Sequence, residues 1–182
     1  MQRMKMGLRE FGVMVSILLA CAIAPLGAAS AETKAELLEL QQIELSKAHI
    51  NGYLKIGPKL VKMFDRIDKS NGEPDKQLLT DLEALAKEGG FSSFDELETV
   101  VSNITFVMSG INDEDGTFKE PVEVLKEELA ETEADQGMKG DEKKQLIASI
   151  KESITHTPTL KYRGNVALVQ KHFKELAKLF DE

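Results

Sequence analysis

The chain has 182 residues, 42% of them hydrophobic and 30% charged, with 23 basic and 31 acidic side chains and a net charge of −8. That composition is too apolar for a wholly disordered chain, and a single cysteine cannot staple a small disulfide scaffold. The acidic excess repels phosphate and argues against a nucleic-acid partner.

Residues 1–31 read as a secretory signal peptide. Arg3, Lys5 and Arg9 form a positive leader, and Phe11 to Ala24 is an uncharged apolar run of 14 residues. Pro25 breaks it, and Ala29-Ser30-Ala31 supplies the small-x-small cleavage site. The apolar run is shorter than the roughly 18–20 residues that span a bilayer. Cleavage after Ala31 would place the chain in the periplasm or outside the cell. Leu18-Leu19-Ala20-Cys21 resembles a bacterial lipobox, so a lipoprotein anchored at Cys21 is the alternative. Contact with the membrane is expected only through these two routes. Removing residues 1–31 takes away three basic residues and one acid. The mature chain then has 23 − 3 = 20 basic and 31 − 1 = 30 acidic residues, a net charge of −10 over 182 − 31 = 151 residues, and no cysteine. A cysteine-free exported domain of this size can be held by its core alone.

The remainder, residues 32–182, reads as one helical domain. Residues 33–56 carry Ala35, Leu38, Leu45, Tyr53 and Ile56 near one face, widened by Leu37, Leu40, Ile43 and Ile50. Gly57-Pro58 is expected to end that helix, with Pro58 opening a second over 58–69 marked by Leu60, Val61, Phe64 and Ile67. Ser70-Asn71-Gly72 reads as a turn, and Pro74 suits a first helical turn. Leu78, Leu79, Leu82, Leu85 and Ala86 form the next stripe, closed by Gly89-Gly90. Ser93 and Glu96 make a capping box with Phe91 and Phe94 beside it. The helix it opens runs to about Ser109 and should bury Leu97, Val100, Val101, Ile104, Val107 and Met108. Asn112 to Thr117 is a loop, Pro121 starts a short acidic helix to Asp135, and Gln136 to Gly140 is a break. Asp141 should cap a helix to Ile154 with Leu146, Ile147, Ile150 and Ile154 on one side. Thr155 to Gly164 is irregular, and Asn165 should cap a last helix striped by Val166, Val169, Phe173, Leu176 or Ala177, and Phe180. The expected fold is all-α, a compact irregular bundle of six or seven amphipathic helices, because such stripes are stable only against each other.

The pattern lacks the usual site chemistries. Asp113-Glu114-Asp115-Gly116 looks like part of a calcium loop, but aligning Gly116 with the required glycine puts Ile111 and Val122 at ligand positions. In Asp68–Gly72 the glycine falls one place early and Leu79 takes the twelfth position. His49, His156 and His172 share no i, i+4 spacing; His49 and His172 read as packing histidines, and Glu175 can pair with His172. No nucleophile elbow or phosphate-cradling glycine loop is present. Asn103-Ile104-Thr105 matches a glycosylation sequon inside a predicted helix and reads as chance. A non-catalytic protein without metal or cofactor is therefore expected.

Two surfaces stand out for a protein partner. Glu127, Glu128 and Glu131 crowd the helix that begins at Pro121, and an acidic face can steer a basic partner. Tyr162 and Arg163 lie in the Thr155–Gly164 connection and belong to residue types enriched at interaction hot spots. The competing reading is a small-ligand carrier with a pocket lined by Phe94, Ile104, Met108 and Phe173.

Gly90-Phe91-Ser92-Ser93-Phe94 through Gly110-Ile111, then Gly116-Thr117-Phe118 and Pro121, is similar to a pattern in small exported helical proteins of Gram-negative bacteria that have no assigned function. Gly164-Asn165-Val166 and Leu168-Val169 extend the likeness. The resemblance implies an all-helical periplasmic fold and brings no catalytic residue with it.

Overall fold

The structure, a computed structural model, describes residues 40–69, 76–138 and 140–179, and the side chains of all of these except 64–69. The signal peptide over 1–31 with its Cys21 alternative, the apolar positions Ala35, Leu37 and Leu38, the turn Ser70–Gly72, Pro74 and Phe180 lie outside the described residues, as do the side chains of Phe64, Ile67 and Asp68.

Among the described residues there are six helices and no strand, so the all-α expectation is met. They are α1 (Lys47–Lys69), α2 (Lys76–Gly89), α3 (Phe94–Met108), α4 (Pro121–Ala134), α5 (Gly140–His156) and α6 (Gly164–Ala177). The chain divides into two compact units. One takes in residues 41–119 and returns from 160 onward, and the other contains the α4–α5 hairpin over 120–159.

The first unit is a four-helix bundle. α1 packs on α2, α3 and α6, and α3 packs on α2 and α6. Ile50, Ile56, Val100, Ile104, Val169 and Leu176 are completely buried at its centre. Each such side chain contributes about 1.5–3 kcal/mol of burial. α3 buries all six of the apolar residues expected of it, and also Asn103 and Thr105. In α2 the stripe is narrower than expected, because Leu79 faces outward and is 40% exposed.

Three boundaries of the bundle differ from the sequence reading. Residues 40–46 are not helical, the main chain of 41, 43 and 45 being bonded at alternate residues to side-chain amides, and α1 begins at Lys47. Ser46 caps α1 at that boundary. Its hydroxyl accepts from the His49 backbone N–H (3.1 Å), and its own N–H donates to His49 Nδ1 (3.2 Å), a capping box with histidine in place of glutamate. Next, Gly57-Pro58 does not end a helix; α1 runs through it. Pro58 is exposed, and buried Ile56 and Leu60 hold the helix on either side. Gly57 serves packing instead, since a Cβ there would stand 2.5 Å from Leu179 Cδ1. The third difference is at α6, which starts at Gly164 with Arg163 as its N-cap residue and no side-chain cap. Asn165 lies inside the helix with its carboxamide turned inward.

Other boundaries follow the sequence. α2 closes in a Schellman motif: Phe91 N–H donates to Ala86 O (3.0 Å), Gly90 N–H to Lys87 O (3.0 Å), and Gly90 adopts φ +89°. At the start of α3, Ser93 Oγ accepts from Glu96 N–H (3.2 Å). The Glu96 carboxylate returns to Ser92 rather than to Ser93, accepting from its N–H and its hydroxyl at 2.6 Å. Glu83 of α2 accepts from Phe94 N–H (2.8 Å) and so caps α3 from a neighbouring helix. These donations hold both carboxyls below the usual range, the Ser92 hydroxyl being the main cause for Glu96 and the Phe94 N–H for Glu83.

The second unit is an antiparallel pair. α4 opens with Pro121 at its first turn and without a side-chain cap from Glu120. Lys143 of α5 donates to Glu133 O (2.8 Å) and Asp135 O (2.6 Å), covering carbonyls at the α4 C-terminus. Lys151 pairs with Glu133 at 3.0 Å.

Candidate functional site

A developed polar construction among the described residues is the binding of the segment Gln41–Leu45 in the first unit. Asn103 of α3 accepts from Ile43 N–H through Oδ1 (3.0 Å) and donates through Nδ2 to Gln41 O (2.8 Å). Asn165 of α6 accepts from Leu45 N–H through Oδ1 (2.8 Å) and donates through Nδ2 to Ile43 O (2.9 Å). Both asparagines are buried, at 2% and 1% exposure, and a buried carboxamide with both functions satisfied is strongly position-specifying. Gln42 Oε1 also accepts from Lys161 N–H (2.8 Å), and the Leu45 side chain is buried. Sequence reasoning missed this arrangement, reading Asn165 as a cap and Asn103 only as part of a sequon. With both functions of its carboxamide engaged and 2% exposure, Asn103 presents no accessible glycan acceptor in the folded chain. The available hint was an asparagine in the middle of the most apolar helix, where it is a poor helix former unless a partner takes its amide.

The acidic surface lies on α4. Glu123, Glu127 and Glu131 are exposed and follow at intervals of four, forming one row, whereas Glu128 is half-buried. Helix α4 carries five glutamates against one lysine, a net −4. The apolar edges of the hairpin are only partly covered. Val122, Leu125, Leu129, Leu146, Ile147 and Ile154 are all half-buried, and of the helical residues only Pro121 and Ile150 are buried. An open depression of about 650 Å³ at the α4–α5 turn is lined by Glu133, Ala134, Asp135, Gln136, Met138 and Lys143.

Tyr162 and Arg163 belong to the other unit from Glu127, Glu128 and Glu131. α5 extends to His156, so the irregular connection is shorter than expected. Leu160 is buried, Tyr162 is half-buried with Lys161 Nζ 5.1 Å from its ring centre, and Arg163 is exposed at the start of α6. The Tyr162 carbonyl accepts from Asn165 N–H (3.0 Å), which fixes the turn into α6.

The remaining candidates have structural roles. Asp115 Oδ1 accepts from the Thr117 hydroxyl (2.7 Å) and N–H (2.9 Å), which holds its carboxyl below the usual range. Asn112 and Gly116, the latter at φ +71°, complete the turn. No group of three potential metal ligands occurs among the described residues. His49 caps α1 and stacks on Phe91, with ring centres 6.5 Å apart. His172 Nδ1 lies 3.0 Å from Glu175 Oε2, the expected pair. His156 is exposed at the last residue of α5. Ile104 and Met108 are packed in the bundle core, and Phe94 and Phe173 are half-buried. No described helix is long and apolar enough to cross a membrane.

Comparison with family models, curated proteins and solved structures finds no match for this chain.

Proposed function

We propose that this chain is an exported, non-catalytic helical protein that acts in the periplasm by contacting another protein. The surface assigned to the contact is the α4–α5 hairpin, and its partner is a basic amphipathic segment. The observation that carries this reading is the position of the α4 carboxylates. Glu128, Glu131 and Glu133 lie in the C-terminal half of the helix, Glu131 and Glu133 in its last turn. The helix dipole disfavours anions in the last turn by about 0.3–1 kcal/mol each. Lys143 and Lys151 offset part of that at Glu133 and the terminal carbonyls. Two acids placed against local helix stability, Glu131 and Glu133, together with exposed Glu127 and a half-covered apolar stripe, suit a cationic partner that brings both charge and apolar area.

The test is a photocrosslinking residue at exposed Ala130 in the full-length chain expressed in cells. A discrete adduct is expected that falls several-fold when Glu127, Glu128 and Glu131 become Gln and that weakens with added salt. An adduct indifferent to the three substitutions rules the acidic surface out. Export is tested by intact mass: a mature chain beginning at Glu32 supports cleavage after Ala31, and a lipidated Cys21 replaces that route.

A further inference from the structure

We propose that the groove between α3 and α6 is a receptor site for an extended polypeptide, filled in cis by Gln41–Leu45 and able to take the same segment from a second copy in trans. The two asparagines act like the edge of a sheet. Asn103 takes the carbonyl of residue 41 and the N–H of 43; Asn165 takes the carbonyl of 43 and the N–H of 45. Main-chain groups at alternate residues are therefore recognised without regard to side chain, as in strand addition to a sheet edge. Side-chain identity enters at two points, the buried Leu45 and the Gln42 carboxamide on Lys161 N–H.

The occupant is the same segment because an identical chain restores every one of these contacts. On its C-terminal side the segment joins the bundle at the Ser46–Lys47 step, where the Ser46–His49 cap marks the start of the helix. Opening that step lets the segment leave one groove and enter another. The bonds lost are then remade, and the main opposing term is the entropy of association.

The experiment mixes two full-length variants. Ile43→Pro with Leu45→Pro removes both donated N–H groups of the segment and leaves the groove intact. Asn165→Leu removes one clamp and leaves the segment intact. Each alone is expected to be monomeric, and the mixture should give a 1:1 complex by size-exclusion chromatography with light scattering. Two folded variants that stay monomeric on mixing overturn the proposal. Where the proline variant does not fold alone, a synthetic peptide of residues 41–46 should restore folding or raise its thermal midpoint by about 5 °C at saturation. Where Asn165→Leu does not fold, the same peptide supplies the segment. A peptide that gives neither binding nor rescue shows the segment to be an inseparable part of the core and overturns the proposal. Equal action by a peptide N-methylated at Ile43 and Leu45 overturns main-chain recognition.

Discussion

The four-helix bundle and the α4–α5 hairpin are built from similar amphipathic material and end up with different cores. In the bundle, Ile50, Ile56, Val100, Ile104, Val169 and Leu176 are wholly buried. In the hairpin, Ile150 is the one helical side chain beyond Pro121 that reaches burial, and the other apolar positions stop halfway. The polar groups differ in the same sense. The bundle buries two carboxamides with both functions satisfied, whereas the hairpin relies on exposed lysine contacts such as Lys151 with Glu133. A surface ion pair contributes little, typically 0–1 kcal/mol. The caps differ too: α3 receives donations to Ser93 and Glu83, and α4 has no side-chain cap. Four helices can enclose a centre, while two leave one side of each stripe uncovered. The bundle is therefore organised for stability, and the hairpin retains apolar and acidic surface.

Matched truncations break or sharpen this contrast most directly. Ile104→Ala should destabilise by about 3–4 kcal/mol, through lost burial and the cavity left behind. Leu129→Ala, at a half-buried site of the hairpin, should cost about 1 kcal/mol or less. Urea midpoints of the two variants measure the difference, and equal losses would mean that the hairpin is as tightly packed as the bundle.

Gly52→Ala comes next. Its Cβ would run into the Gly89 carbonyl and the Phe91 ring, where α1 and α2 approach closely. A cost of about 1–3 kcal/mol is expected from overpacking, against the slight gain that Ala brings to an open helix site. Thermal unfolding checks the sign. Ser93→Ala should cost about 1 kcal/mol by removing the α3 cap. Circular dichroism together with a denaturant midpoint reads it, and an unchanged midpoint would show that Glu83 caps the helix sufficiently alone.

The smallest effect concerns Glu98. Partial burial on α3, with Asp95 as a lesser cause, pushes its carboxyl up to about 6. Its ionised form is thus disfavoured in the folded chain. Its contribution is most favourable below the unfolded pKa of about 4.5 and is lost as pH rises from there through about 6. Glu98→Gln should gain relative stability across that window and hold a gain of about 0.5–1 kcal/mol at neutral pH, reduced by solvent screening at this half-exposed site. Parallel pH-dependent melts of the two proteins would show no divergence if the site were fully hydrated.

Local chemistry made much of the fold legible. The Gly89-Gly90 closure, the Ser93 cap, the Asn112–Thr117 turn and the Pro121 start depend on residues within a few positions of each other, and all appear as expected. The α3 stripe was readable because six apolar residues at helical spacing admit one buried face. The acidic row on α4 was readable as composition, but its relation to a half-covered apolar stripe was not. The misread boundaries depend on distant partners. Leu45 and Ile43 fit a helical stripe as well as they fit an extended chain, and what decides is a pair of amides 60 and 120 residues away.

The sequence by itself determined that this chain is helical and acidic, where most helices start and stop, and that the described stretches hold no familiar metal or nucleophile motif, because those features reside in spacing and residue type. Tertiary structure decided that Gly57-Pro58 lies within a helix, that residues 40–46 are not helical, and that Asn103 and Asn165 hold the main chain of that segment. Those outcomes turn on whether a buried carboxamide or a helix flank finds its complement across the fold. That complement is a property of packed helices and cannot be read within one turn of sequence.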